Sequence, residues 1–262
     1  MRVVAALVLA PLTIAIAWIG GWPWACIVIA AAGLLYFEWL MIVGASGNRF
    51  AVATGIAALA IAGVCLMMRR TDLAFGIVAV GIVLAAALTR IQRGWVASGL
   101  VYAAAALIAS IIVRRDADFG FVALMFVLLI VWVTDIGGYF AGRGIGGPKL
   151  WPRVSPKKTW AGAIGGLVLS LGIAAAFAWL GYGRMFPLLL LGTVLSIVSQ
   201  LGDLFESAVK RRFDVKDSSH IIPGHGGLLD RLDGFVAAIV LAALIGFTRG
   251  GLNGVGHGFM VW

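Results

Sequence analysis

The chain has 262 residues, 62% of them hydrophobic and only 12% charged, with a mean hydropathy of +1.07. That leaves too little polar surface to cover a water-soluble globule of this size. In lipid every backbone N–H and C=O must be paired internally, which allows only helices or a closed barrel, and the long unbroken apolar runs exclude the alternation of a barrel. The sequence therefore predicts an all-α polytopic membrane protein.

A span needs roughly 20 apolar residues. In chain order about nine such segments can be read, near 3–19, 22–43, 50–68, 73–89, 95–113, 119–141, 160–181, 185–209 and 231–248. Arg2, the apolar stretch after it and Ala15-Ile16-Ala17 also resemble a secretory leader, but another apolar segment follows almost at once and favours an uncleaved first span. Residues 1–118 form an N-terminal group of transmembrane helices. Residues 119–262 form a second group with two polar loops, 142–159 and 210–230.

Lys and Arg divide unevenly between alternate connections. Arg2, Arg49, Arg90, Arg93, five cations in 143–158 and five in 210–231 fall on one side, and the other six of the twenty on the opposite side. The positive-inside bias places the N-terminus and both large loops in the cytoplasm. The net charge of +9 is explained by this placement beside anionic lipid, and no nucleic-acid partner is expected. Cys26 and Cys65 lie in apolar segments without CxxC or Cys/His spacing, so neither a disulfide framework nor a zinc site is suggested.

Before residue 119 the one intramembrane charge is Glu38, a functional candidate by default. It could equally cap a helix or pair with a loop arginine. Asp135 falls sixteen residues into its apolar segment, about 24 Å along a helix and hence near the cytoplasmic end. The loop beyond it is rich in Gly, Pro, Lys and Arg. Arg143, Arg153, Lys157 and Lys158 suit phosphate oxygens, although a solvated basic connection would look similar. The run Gly142-Arg-Gly-Ile-Gly-Gly147 is no dinucleotide fingerprint, because it follows a membrane helix rather than a strand, and Pro148 before Lys149 rules out a Walker motif. Gly162, Gly165 and Gly166 are expected to let helices pack closely.

Six of the eleven acidic residues lie between Asp203 and Asp233. On a helix, Asp203, Glu206, Ser207 and Lys210 share one face. Carboxylates gathered at a membrane interface point to a divalent cation. Asp230 and Asp233, one turn apart at the start of the last segment, complement that metal reading, while simple capping of the helix would account for them as well. The connection between these two segments is short, so they should run antiparallel.

Two blocks carry a family resemblance. Ser207-Ala-Val-Lys210-Arg211, Lys216-Asp217, Pro223-Gly-His225-Gly-Gly227 and Asp230-Arg231-Leu-Asp233 resemble the signature of the phosphatidate cytidylyltransferase (CDP-diacylglycerol synthase) family. So do Asp135-Ile-Gly-Gly-Tyr139-Phe-Ala-Gly-Arg143 and Pro152-Arg-Val-Ser155-Pro-Lys-Lys158-Thr159-Trp160 upstream. One departure is Ala161, where the family usually has Glu. The resemblance implies CTP and phosphatidic acid as substrates and CDP-diacylglycerol and pyrophosphate as products. It implies Mg²⁺, with a second cation such as K⁺, on Asp203, Asp230, Asp135 and Asp233, and catalytic roles for Asp203, Asp230, Lys210 and Asp233. Substrate binding falls to Ser207, Arg211, Lys216, His225, Arg231, Lys158, Arg153 and Ser155. The expected assembly is a homodimer. The alternatives are a CTP-dependent lipid-alcohol kinase, which would move the γ-phosphoryl group, and an ion-coupled transporter, against which the terminal, asymmetric charges argue.

Overall fold

A computed structural model describes residues 2–219 and 226–262, with side chains from residue 11 onward. Among the described residues, nine long helices occupy the nine apolar segments: α1 (Arg2–Ile19), α2 (Gly21–Ile42), α3 (Arg49–Met67), α4 (Thr71–Ala87), α5 (Arg93–Arg114), α6 (Gly120–Gly144), then, after two short strands, α7 (Trp160–Trp179), α8 (Met185–Arg212) and α9 (Leu229–Gly250). Seven of them, α2, α3 and α5 to α9, are long and apolar enough to cross a bilayer. The 17 residues of α4 would reach about 26 Å.

Two expected loops are shorter than the sequence suggested. Helix α6 continues to Gly144 and α8 to Arg212, so Lys210 and Arg211 sit on the last turn of a helix, where cations also complement the carbonyl end of the dipole. The basic loop after α6 contains an antiparallel hairpin, β1 (Lys149–Trp151) and β2 (Ser155–Thr159), pairing Lys149 with Thr159 and Trp151 with Ser155. A short helix, α10 (Val255–Met260), closes the chain.

The chain forms two compact units: residues 1–112 with 213–231, and residues 113–212 with 232–262. In the first, α2 packs on α3 and α3 on α4. Its centre is Trp39, which stacks on Tyr102 at 5.4 Å and donates its indole N–H to the Trp95 carbonyl at 2.8 Å. Phe213, where the chain returns to this unit, meets Trp95 edge-on at 5.1 Å.

In the second unit α7 lies against α6 and α8. As expected, the α7 glycines make this possible. A Cβ on Gly166 would stand 2.5 Å from the Thr134 carbonyl oxygen, one on Gly162 would stand 2.8 Å from that of Gly138, and one on Gly165 would collide with Ala141. Thr134 donates to Ser196 at 2.9 Å, tying α6 to α8, and Gly202 and Gly234 bring α8 and α9 together. Helix α10 is held by Asp116, which accepts the His257 N–H at 2.8 Å.

Candidate functional site

The hairpin determines where Lys158 points. Burial increases along β2 from exposed Lys157 through half-buried Lys158 to buried Thr159. Thr159 is buried and ends the strand as the cap of α7, its hydroxyl accepting the Gly162 N–H at 3.1 Å. Ala161, in the first turn of the helix, adds no carboxylate to this cap. Lys157 is exposed, whereas Lys158 turns inward and forms an ion pair with Asp203 of α8. Both partners are about two-thirds shielded from solvent. The other Asp203 oxygen lies 3.4 Å from the Ser207 hydroxyl, one helical turn on.

Asp233, one turn into α9, uses one oxygen for its own helix, accepting the Gly234 N–H at 2.7 Å. It lies within electrostatic reach of Asp203, Asp135 and Lys158. Three carboxylates and one ammonium therefore share a neighbourhood, an excess of negative charge that a cation would relieve. Of the α8 face expected to be acidic, Glu206 turns out almost wholly enclosed and paired with Lys210 at 2.7 Å. That pair fixes the Lys210 ammonium rather than adding a fourth carboxylate to the group.

Among the described residues no three His, Cys, Asp or Glu side chains converge as a complete metal cage. Magnesium does not require one. It keeps several waters and takes one or two carboxylates together with substrate phosphates. The hard oxygens of Asp203 and Asp233 fit that requirement. The apolar side of the same unit holds a cavity of about 440 Å³, lined by Trp151, Trp160, Ile164, Leu201 and Leu204 among others, a surface suited to hydrocarbon.

The remaining expected residues are distributed as follows. Arg153 is exposed in the hairpin turn and Ser155 opens β2; Arg143 donates to the Tyr139 hydroxyl at 2.9 Å. Arg211 is exposed at the end of α8. Lys216 and Arg231 are exposed on the returning segment of the first unit, and His225 lies outside the described residues.

Asp230, also in the first unit, accepts the Ser218 N–H at 3.1 and 3.2 Å, the Ser218 hydroxyl at 3.0 Å and the Gly227 N–H at 2.9 Å. Gly226, at φ +79°, must remain glycine there, since a Cβ would come 2.7 Å from the Asp230 carboxylate. What the sequence under-read is Glu38. It is fully buried and engages this same segment, not a loop arginine.

The sequence matches the model of the Cytidylyltransferase family over residues 1–248. A protein of Brucella suis named phosphatidate cytidylyltransferase is 41% identical over 250 residues, 94% of this chain and 92% of that protein. Bacillus subtilis and Staphylococcus aureus (strain COL) proteins of the same name are 46% and 47% identical over 127 and 124 residues, just under half of each chain.

Proposed function

The chain belongs to the cytidylyltransferase family, and from that premise we propose that it is a phosphatidate cytidylyltransferase that makes CDP-diacylglycerol within a membrane. A phosphate oxygen of phosphatidic acid attacks the α-phosphorus of CTP, the bond from that phosphorus to the bridging oxygen breaks, and pyrophosphate leaves with the electron pair. The observation that carries this reading is the likeness to the Brucella suis protein along nearly the whole of both chains.

Both reactants are polyanions, so the chain's task is to neutralise and align them rather than to form a covalent intermediate. Lys158 supplies a positive charge already oriented by Asp203, and the Lys210 ammonium is held by Glu206. Arg143, Arg153, Ser155, Ser207, Arg211, Lys216, His225 and Arg231 are the further candidates for phosphate oxygens. Asp203 and Asp233, with Asp135 close by, would hold Mg²⁺. When bound, that ion screens the phosphates and stabilises charge on the departing pyrophosphate. We assign Asp230 to fixing the signature segment, on the strength of its hydrogen bonds.

Purified protein given phosphatidic acid, Mg²⁺ and CTP labelled at either the α- or the γ-phosphate tests the reaction. Label should enter lipid from the α-position only; γ-label in lipid would mean a kinase. We further propose a homodimer in the inner membrane with both polar loops cytoplasmic. Cysteines replacing Lys157 and Arg184, with Cys26 and Cys65 removed, should then react from opposite faces, and reaction from one face would overturn that orientation.

A further inference from the structure

Glu38 has no part in the chemistry above, yet both of its carboxylate oxygens are engaged. It stands one turn before the end of α2, with none of its surface exposed. Oε1 accepts from the Ser219 hydroxyl at 2.7 Å and the Leu228 N–H at 2.9 Å. Oε2 accepts the Leu229 N–H at 2.7 Å and lies 3.1 Å from the Ser218 hydroxyl.

Leu228 and Leu229 supply amides at the start of α9, where backbone N–H groups have no partner within the helix. A carboxylate from another helix satisfies them and complements the positive end of the α9 dipole. Ser218 connects this carboxylate to a second one. Its hydroxyl is 3.1 Å from Glu38 and 3.0 Å from Asp230, and its N–H points at Asp230. Gly227 is the necessary neighbour, because any Cβ there would collide with the Ser218 hydroxyl and the Glu38 carboxylate.

We propose that Glu38 is a positioning residue for cytidylyl transfer: it holds Ser218-Ser219 and Leu228-Leu229 on one carboxylate and thereby fixes their neighbours Lys216, Asp230 and Arg231 in their working places. The inference rests on the reading of the chain as a phosphatidate cytidylyltransferase. A purely structural carboxylate would, when altered, lower the yield of folded protein and leave each folded molecule at full speed. A clamp, when altered, leaves the helices folded and slows each molecule.

The test uses the full chain in detergent with Glu38→Gln, Ser218→Ala and Ser219→Ala. Turnover is normalised to the monodisperse folded fraction, and trypsin cleavage after Lys216 is followed by mass spectrometry. Glu38→Gln puts an amide N–H₂ where N–H donors already point. Its turnover per folded molecule should fall at least tenfold, with cleavage after Lys216 several-fold faster and the thermal midpoint lowered by a few degrees only. The serine variants should show the same pattern at roughly threefold. Wild-type turnover per folded molecule in Glu38→Gln, or unchanged cleavage in all three variants, overturns the proposal. If Glu38→Gln does not fold, the serine variants decide it, and wild-type behaviour in both overturns it. Failure of the wild-type chain to make CDP-diacylglycerol would strike the underlying reaction instead, and the cleavage rates would still judge the clamp.

Discussion

Around Glu38 and Asp230 the carboxylates are met by donors: backbone N–H groups of Ser218, Gly227, Leu228 and Leu229 and the hydroxyls of Ser218 and Ser219. Around Asp203 and Asp233 donors are fewer, the Ser207 hydroxyl and the Gly234 N–H among them, and among the described residues the charges within reach of Asp233 are Asp203, Asp135 and Lys158. Both groups sit at the polar ends of apolar helices, and in sequence the four residues look alike. Charge matched by oriented dipoles makes a rigid frame, whereas charge left in excess makes a place for a cation and a polyanionic substrate. Asp230 and Asp233, one helical turn apart on α9, fall on opposite sides of that division.

The comparison can be broken most forcefully at Asp203. Asp203→Asn removes one hard oxygen and leaves Lys158 without its counter-charge, so turnover should fall about 1000-fold or more, about 4 kcal/mol of transition-state stabilisation. Asp233→Asn should behave similarly, and a double variant should be little worse than either single one, because both act on one site. Near-normal turnover in either single variant would dissolve the distinction.

Asp230→Asn should have a smaller and different effect. The amide would set a donor against the Gly227 and Ser218 N–H groups, at about 1–3 kcal/mol of local stability, and turnover should drop while cleavage after Lys216 speeds up. A loss of turnover with no loosening of the segment would move Asp230 to the other side of the comparison. The least effect is expected at Asp214, which is exposed and adopts φ +55°. Asparagine tolerates the left-handed region at least as well as aspartate, so Asp214→Asn should leave turnover unchanged and stability within about 0.5 kcal/mol.

Most of the fold was legible because lipid imposes one rule on every span. The apolar segments matched helices α1 to α9 to within a few residues, and the glycines at 162, 165 and 166 announced close helix packing, which the structure shows to be against α6. The hairpin was not legible. Strands of three and five residues, one followed by Pro152 and the other containing Pro156, carry no hydrophobic period. For the same reason the Lys158–Asp203 pair could not be anticipated from residues 45 apart in sequence. Glu206 read as one more carboxylate of a cation-binding face, and its enclosed pairing with Lys210, four residues on, emerges only in the structure. Glu38 was visible as a buried charge, but its partners lie some 180 residues away and nothing in the local sequence names them. A carboxylate among donors and a carboxylate among acids have the same letter; only the neighbours separate them.

Metal binding itself tests this separation most directly. Mn²⁺ can stand in for Mg²⁺, and its binding to the full chain with CTP present can be followed by electron paramagnetic resonance in wild type, Asp203→Asn and Asp230→Asn. Asp203→Asn should weaken Mn²⁺ binding at least tenfold and Asp230→Asn by no more than about threefold. Unchanged Mn²⁺ affinity in Asp203→Asn, or an equal loss in Asp230→Asn, would contradict the division of these carboxylates into cation site and frame.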